Sequence, residues 1–289
     1  MRVFLRVVSG GCVLLLAAGF AGDWHPAGDS LAVFRVPLLI VAALAIIWSD
    51  WPRRARWSLA VLAMAGLVAH LPLPRGQSAE PGALMVFQQN MQWNRSESAD
   101  WLAMIEAVRP DVLLLQEISE GNRALLTALA PLYPHQHLCP NGFVGEAVLS
   151  RLPFTAEPPV CSKRDGIAAA QVETRQGPVW MISLHISWPW PYGQARHVTQ
   201  IIPDLQRLDG PVVLGGDFNA VAWSHTLERV ARATGTVRIG PLNHSFTLPG
   251  GLPIGIDHLL APTGTRATVQ QTDMLGADHR GLLAALSLP

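Results

Sequence analysis

Three apolar segments near the N-terminus constrain this chain more than any other feature of its sequence. They cover residues 3–21, 31–48 and 57–73, and each is near the ~17–25 residues that a helix needs to cross a ~30 Å hydrocarbon core. Tryptophans lie at the segment ends, where amphipathic rings favour a membrane interface. Arg35 lies within the first turns of the second segment, within reach of such an interface. The sequence therefore predicts three transmembrane helices within residues 1–73.

The arginine distribution predicts the orientation of these helices. Arginines occur at the N-terminus and in the loop 49–56, whereas the loop 22–30 holds two aspartates and no basic residue. Because positively charged loops stay on the cytoplasmic side, we expect a multi-pass inner-membrane protein with a cytoplasmic N-terminus, an extracytoplasmic remainder and the lipid bilayer as a partner. The alternative is a cleaved signal peptide followed by two buried core helices.

The remaining sequence predicts a layered α/β domain. Residues 74–82 are rich in Pro, Gly and small residues, which indicates a linker, and residues 83–289 are enough for one domain with its own core. Apolar segments typical of strands, such as 84–89 and 112–116, alternate with helical patterns such as 99–108, which Pro110 ends. Alternation of this kind is typical of an α/β fold.

Composition excludes several classes of protein. Apolar residues make up 49% of the chain and the net charge is zero, which excludes a disordered chain. Three cysteines in 289 residues exclude a disulfide-dense scaffold, although Cys139 and Cys161 are either paired or two free thiols. Residues 81–289 hold 14 basic and 17 acidic residues, which disfavours a nucleic-acid partner, because DNA binding needs a basic surface.

Polar side chains recur where the predicted apolar strands end or begin. They are Asn90, Glu117, His185, Asp217, Asn219, Asp257, Asp278 and His279. Rigid strand ends hold side chains in place while the adjoining loops leave room for substrate, so we expect a site here rather than ordinary caps and turns. Carboxylate and amide oxygens suit Mg²⁺ or Mn²⁺, and an Asp–His pair suits a general base. Together they predict metal-dependent hydrolysis of a phosphate ester.

These residues lie in motifs that resemble the endonuclease/exonuclease/phosphatase superfamily, which includes pancreatic-type DNases, abasic-site endonucleases, sphingomyelinases and inositol-polyphosphate 5-phosphatases. The resemblance runs from about residue 84 to 286, and its most specific elements are the Gly-Asp-Phe-Asn of residues 216–219 and the Asp-His of residues 278–279. It implies a four-layered α/β sandwich, in which two packed mixed β-sheets are flanked by helices.

The resemblance also implies a role for each residue. Glu117 is the main metal ligand, helped by Asn90 and Asp278. His279 is the general base, paired with Asp257. Asp217 and Asn219 hold the nucleophilic water and the phosphate, and His185 donates to the phosphate oxygens or the leaving group. Two positions depart from the family pattern: Ala277 replaces a usual Ser, and Gln92 replaces an Asp, which leaves the number of metals open.

The expected substrate is a lipid-linked phosphate or pyrophosphate, because membrane-anchored relatives of similar layout are linked to polyprenyl pyrophosphate hydrolysis and glycopeptide resistance. Trp188 and Trp190 lie in an aromatic loop after His185 and either rest on the bilayer or pack under the loop. Arg280 either contacts phosphate or caps a strand. The alternatives are an extracytoplasmic nuclease or phosphodiesterase and a catalytically inactive binding module. We expect His258 to be structural, and His135 and His137 to be surface residues.

Overall fold

The computed structural model describes residues 1–70, 78–95, 98–163 and 166–289. Over these ranges the chain forms eight helices and fourteen strands. The helices are α1 (Arg2–Ala18), α2 (Ala27–Ala32), α3 (Arg35–Trp48), α4 (Arg53–Ala69), α5 (Ala99–Val108), α6 (Ala124–Leu129), α7 (Gln194–Leu205) and α8 (His225–Thr234). The strands are β1 (Leu84–Asn90), β2 (Val112–Ile118), β3 (His135–Asn141), β4 (Val144–Ser150), β5 (Val160–Cys161), β6 (Ile167–Thr174), β7 (Gly177–His185), β8 (Val212–Asp217), β9 (Thr236–Arg238), β10 (Phe246–Thr247), β11 (Pro253–Ile254), β12 (Asp257–Pro262), β13 (Arg266–Gln271) and β14 (Leu282–Ser287). Of the predicted linker, residues 74–77 lie outside the described residues.

Two six-stranded sheets of mixed direction dominate the structure. The first, sheet A, has the order β13-β14-β1-β2-β4-β3, and the second, sheet B, has the order β5-β6-β7-β8-β12-β9. Each sheet has one parallel pair at its centre, β1 with β2 and β7 with β8, flanked by antiparallel neighbours. The carboxyl ends of the two parallel pairs therefore carry four of the polar residues singled out from the sequence, namely Asn90, Glu117, His185 and Asp217.

The sheets pack face to face, with helices on both outer surfaces. One apolar cluster fills the space between the sheets, a second joins α7 and α8 to sheet B, and a third joins α5 and α6 to sheet A. Strand β1 shows how the sequence places apolar side chains on both faces of a sheet. Val86 lies in the cluster between the sheets, while the next residue, Phe87, packs with Trp101 of α5. Strands buried on both faces read as continuous apolar segments. The predicted sandwich of two mixed sheets between helices is confirmed.

The N-terminal helices correct the membrane prediction. Helices α1 and α4 have 17 residues each and α3 has 14. At a rise of 1.5 Å per residue, α3 is about 21 Å long, well short of a ~30 Å hydrocarbon core, and α1 and α4, at about 25 Å, lie at the lower limit of the spanning range. In the described part of the chain, no helix combines the length and the apolar character needed to span a membrane. The predicted transmembrane helices, and with them the multi-pass inner-membrane location and its orientation, are wrong.

Arg35 explains why the second apolar segment is not one continuous helix. Its guanidinium donates to the carbonyl of Gly19 at 2.7 Å and lies 3.8 Å from the ring centroid of Phe20. The side chain is buried, with 7% of its surface exposed, rather than extended towards an interface. Helix α2 ends at Ala32 and α3 begins at Arg35, so the helical segment is interrupted next to the residue that makes this contact.

Helix α2 attaches the N-terminal segment to the two-sheet sandwich. The carboxylate of Asp29 accepts hydrogen bonds from the backbone N–H of His225 at 2.7 Å and of Thr226 at 2.8 Å. Ser224 caps the next free donor of α8, the N–H of Leu227. A carboxylate at a helix N-terminus satisfies unpaired donors and interacts favourably with the helix dipole. The contact thus fixes α2 against the loop that leads from the site into α8.

A disulfide between Cys139 and Cys161 settles what the sequence left open. It joins β3, at the edge of sheet A, to β5, at the same end of sheet B. The two sheets are therefore linked covalently as well as by their shared core.

Replacing Asp29 with Ala is expected to lower the free energy of unfolding by about 1.5–3 kcal/mol, because two donors lose charge-assisted hydrogen bonds. Urea unfolding measures this effect. Asp23→Ala is the matched control, since Asp23 is exposed in the preceding loop and its loss is expected to cost less than about 0.5 kcal/mol. Equal losses in the two variants would show that the contact contributes nothing.

Candidate active site

Three neighbouring strands of sheet B bring His185, Asp217 and Asp257 into one row. His185 is in register with Asp217, and Asp217 with Asp257. Gly216, directly before Asp217, allows the neighbouring strand to lie this close, because a side chain at this position would collide with the carbonyl of Leu184. The strand ends thus place an imidazole and two carboxylates side by side, as the sequence pattern predicts.

His279 and Asp257 form a buried pair. His279 Nδ1 lies 2.8 Å from Asp257 Oδ2, and Gln88 on sheet A donates to Asp257 Oδ1 at 2.8 Å. Burial alone would raise the pKa of Asp257, but the charge of His279 and the hydrogen bonds it receives hold that pKa below its usual value. Burial alone would lower the pKa of His279, but the charges of Asp257 and Asp217 raise it to about 10. Asp257 therefore fixes the orientation of the imidazole and leaves Nε2 directed away from the pair.

Asp217 and Asn219 form the centre of the site. The backbone N–H of Asn219 donates to Asp217 Oδ1 at 2.8 Å, and its side-chain amide donates to the carbonyl of Ile186 at 2.8 Å. Asn219 Oδ1 is buried and has no hydrogen-bond partner. Burial raises the pKa of Asp217 to about 6, with Asp257 adding to the effect and His279 opposing it. An unpaired buried oxygen costs free energy unless a ligand donates to it, so the site has a place for a donor such as water.

His185 lies between three carboxylates. Its Nε2 is 3.8 Å from Glu117 Oε1 and 3.8 Å from Asp217 Oδ2, and its Nδ1 is 3.6 Å from Glu146 Oε1. Burial alone would lower the pKa of His185, but these carboxylates raise it to about 9. The imidazole is thus charged at neutral pH in the protein alone and is placed to donate a proton.

Glu146 is a site residue that the sequence analysis missed. It is on β4, has 1% of its surface exposed, and its Oε2 has no hydrogen-bond partner. The available signal was a carboxylate within an otherwise buried apolar strand, because such a charge is rare without a partner. Only the packing of sheet A on sheet B shows that this partner is His185.

The predicted metal ligands also meet at this edge. The side-chain amide of Asn90 donates to Glu117 Oε1 at 3.0 Å and to Asp217 Oδ2 at 3.1 Å, and Glu117 Oε2 accepts from the N–H of Trp93 at 2.9 Å. Asp278 is exposed at the same edge. Its partial desolvation raises its pKa, the charge of His279 opposes the shift, and the charge of Glu117 adds to it. Asn90 and Glu117 are thus in direct contact, whereas Asp278 interacts with Glu117 through its charge.

A divalent cation fits this donor set. The donors are oxygens of carboxylates and an amide, which are the ligands that Mg²⁺ and Mn²⁺ prefer. The excess negative charge of the site, which raises the pKa of both histidines, is also what a cation would compensate. Gln92, which departs from the family pattern, donates its backbone N–H to Asn90 Oδ1 at 2.9 Å, so it orients Asn90.

Backbone strain is concentrated around these ligands. Gln92, Glu117 and Asn219 have φ values of 54°, 56° and 46°, in the left-handed region. Such conformations are uncommon for residues other than glycine and cost about 1–3 kcal/mol each. Surrounding hydrogen bonds hold each of them, so the strain supports the assignment of this edge as a functional site.

The three residues expected to contact the substrate have different surroundings. Arg280 donates to Asp273 Oδ1 at 3.0 Å on the surface. The ring of Trp188 is 5.8 Å from that of Phe246, which in turn lies 4.8 Å from the ring of His279. Trp190 instead contacts the N-terminal segment: its carbonyl accepts from Ser30 at 2.6 Å, and its ring is 6.1 Å from that of His25. Of the three, Trp188 is connected to the site through direct ring contacts.

Two further histidines lie in the core or near it. His258 is 2% exposed and its Nε2 lies 2.8 Å from the carbonyl of Ala220, which confirms its structural assignment. His137 was expected on the surface, but it is half-buried beside the disulfide, with Nε2 3.1 Å from the Sγ of Cys139. Its position follows from β3, a strand that the sequence analysis did not predict.

The sequence matches one family of known proteins. Residues 87–279 match the model of the Endonuclease/Exonuclease/phosphatase family. No curated protein matches the sequence closely enough to count as a relative. The chain belongs to the endonuclease/exonuclease/phosphatase family. It is therefore a phosphoric ester hydrolase of the metal-dependent class.

Solved structures share the fold at low sequence identity. A humanized TDP2 from D. rerio is 15% identical, with a TM-score of 0.58 over 71% of this chain and 98% of that one. A family protein from Leptotrichia buccalis is 17% identical, with a TM-score of 0.57 over 71% and 100%. A beta toxin variant from Staphylococcus aureus with bound magnesium ions is 14% identical, with a TM-score of 0.55 over 70% and 99%. These likenesses establish the fold.

Glu146→Gln is expected to lower kcat for phosphate ester hydrolysis by about 10²-fold, the lower range for general acid–base groups, because His185 loses the charge beside Nδ1. The same change removes one cause of the raised pKa of His185, so an NMR titration should show that pKa falling from about 9. Glu157→Gln, at an exposed position, is the matched control. Unchanged kcat and imidazole titration in Glu146→Gln would refute the pairing.

Proposed function

We propose that this protein hydrolyses a phosphate ester with water, using His279 as the general base and Mg²⁺, or alternatively Mn²⁺, as cofactor. The observation that carries the proposal is the His279–Asp257 contact of 2.8 Å, with His279 Nε2 3.8 Å from Asp217 Oδ2. A base oriented by a carboxylate next to a second buried carboxylate is an arrangement suited to activating water. The oxygen donors beside it support a metal-dependent reaction.

Each residue has a distinct task in this proposal. Glu117, Asn90 and Asp278 would hold the cation, which neutralises charge on the phosphate when bound. The charge of the bound cation would lower the pKa of His279 from the value of about 10 that it has in the protein alone. The neutral imidazole can then take a proton from water at Nε2, while Asp257 holds Nδ1 and stabilises the imidazolium. Asp217 and Asn219 orient the water, and Asn219 Oδ1 is an acceptor for its hydrogen. His185 donates a proton to a phosphate oxygen or to the leaving group, and Glu146 positions it.

We further propose that the group esterified to the phosphate is apolar, as in a lipid-linked phosphate. Trp188 and Trp190 are 40% and 50% exposed. The ring of Trp188 contacts Phe246, and the ring of Phe246 contacts His279. These rings provide an aromatic surface beside the base. Residues 81–289 hold more acidic than basic residues, whereas affinity for nucleic acid depends on contacts of Lys and Arg with phosphates. These two observations favour an amphiphilic ester over DNA or RNA.

Hydrolysis by the full-length chain tests the reaction. Phosphate release from a polyprenyl pyrophosphate and a phosphatidylinositol phosphate should require Mg²⁺ or Mn²⁺ and stop when EDTA removes the metal. His279→Gln should lose at least about 10²-fold in kcat, since a general base contributes 10²–10⁴-fold. His225→Gln, on the surface helix α8, should retain activity. Equal activity of His279→Gln and the wild type would overturn the assignment of the base.

The substrate class is tested separately with Trp188→Ala. Loss of its exposed ring should lower kcat/KM for a long-chain phosphate ester by about tenfold, which corresponds to about 1.4 kcal/mol of apolar contact. The kcat/KM for a short-chain ester of the same headgroup should stay nearly unchanged. Trp57→Ala, exposed on α4, is the matched control. Cleavage of plasmid or single-stranded DNA without turnover of any amphiphilic ester would replace the proposed substrate with nucleic acid and leave the residue roles standing.

A further inference from the structure

A second cluster of ligand atoms lies outside the active site, where the edges of the two sheets meet. It consists of the disulfide sulfurs of Cys139 and Cys161 and the imidazole of His137, whose ligand atoms all lie within 4.8 Å of one another. Cys139 and His137 are on β3, and Cys161 is on β5. The proposed hydrolysis uses none of the three.

The position of His137 is the informative part of this cluster. Its Nε2 is 3.1 Å from Cys139 Sγ and 3.6 Å from Cys161 Sγ. In a tetrahedral zinc site, with Zn–S of about 2.3 Å and Zn–N of about 2.0–2.1 Å, neighbouring ligand atoms are about 3.5–3.8 Å apart. The distances from the nitrogen to the two sulfurs are thus close to those that a shared metal requires. The two sulfurs, which are bonded to each other in the disulfide, have to move apart after reduction.

A fourth ligand position is also present. The carbonyl oxygen of Val160 lies 3.3 Å from His137 Nε2 and 3.6 Å from Cys139 Sγ. The second separation falls within the range for neighbouring tetrahedral ligands, and the first is about 0.2 Å below it. Either this oxygen or a water molecule can complete the coordination.

We propose that reduction of the Cys139–Cys161 disulfide creates a site for a thiophilic divalent cation of the Zn²⁺ class, with His137, Cys139 and Cys161 as its protein ligands. The reductant is a dithiol. Its two thiols supply two electrons and two protons to the S–S bond, which breaks to give two cysteine thiols, while the dithiol closes to a cyclic disulfide. Binding of Zn²⁺ by the two sulfurs as thiolates then releases two protons to solvent.

Burial and accessibility agree with this chemistry. Cys161 is exposed, so a reductant can reach one sulfur of the pair, whereas Cys139 is 4% exposed and would hold the metal against the core.

Metal binding by the full-length chain before and after reduction tests the proposal. The protein is treated with dithiothreitol, freed of reductant by gel filtration without oxygen, and titrated with Zn²⁺ and, separately, Co²⁺. We expect one Zn²⁺ per chain more than the oxidised protein binds. We also expect a thiolate-to-cobalt charge-transfer absorption band that is absent from the oxidised protein. The oxygen-donor active site cannot produce that band, so the two sites are distinguished.

Two variants on the same strand make the test specific. His137→Ala should weaken Zn²⁺ binding by the reduced chain at least about tenfold, since loss of a group that merely supports a ligand already costs 10–100-fold. His135→Ala is the matched control, because its imidazole is two residues earlier on β3 and packs against Phe154 instead. It should bind Zn²⁺ like the wild type.

Three results would overturn the proposal. The first is a reduced, folded chain that takes up no additional Zn²⁺ and shows no thiolate-to-cobalt band. The second is equal affinity of His137→Ala and His135→Ala. The third is loss of the native circular dichroism on reduction, because the site depends on β3 and β5 remaining in place.

Discussion

The buried negative charge of Asp257 is the constraint on which the site and the packing of the sheets both depend. A carboxylate without solvent is stable only if its surroundings supply compensating charge and hydrogen bonds. Here they come from different parts of the fold: His279 precedes β14, and Gln88 reaches across from β1 of the other sheet. A displacement of the sheets would therefore leave the carboxylate unpaired, so the same contacts that orient the base also fix how the sandwich closes.

The carboxylates of the active site repel one another, and the rest of the domain has to offset this unfavourable free energy. Glu117, Glu146 and Asp217 surround His185, and their charges hold its pKa near 9 despite burial. Left-handed backbone at Glu117 and Asn219 adds strain. The large apolar clusters on both faces of each sheet provide the stability against which these unfavourable terms act. A bound cation would relieve part of the repulsion, which agrees with the family's metal-dependent chemistry.

The N-terminal segment illustrates how one buried charge changes the meaning of an apolar pattern. The hydropathy of residues 1–73 predicts membrane helices, yet Arg35 is buried against Gly19 and Phe20, and Asp29 binds the start of α8. Apolar composition measures how much surface avoids water, but it does not distinguish a lipid partner from a protein partner. Helix length decided against a membrane span here, because α3 stops at 14 residues.

The sequence alone determined most of the longer helices and strands of the sandwich and the class of chemistry. Pro110 predicts the end of α5 at Val108, and the apolar segments before Glu117 and Asp217 predict β2 and β8, because these signals are local. It also predicted which polar residues end the strands, most of which the structure brings together. Strand β3, the pairing of Glu146 with His185, the disulfide and the placement of His137 beside it were decided by tertiary structure. The last three depend on contacts between the two sheets, and residues distant in sequence carry no local signal of which partner they meet.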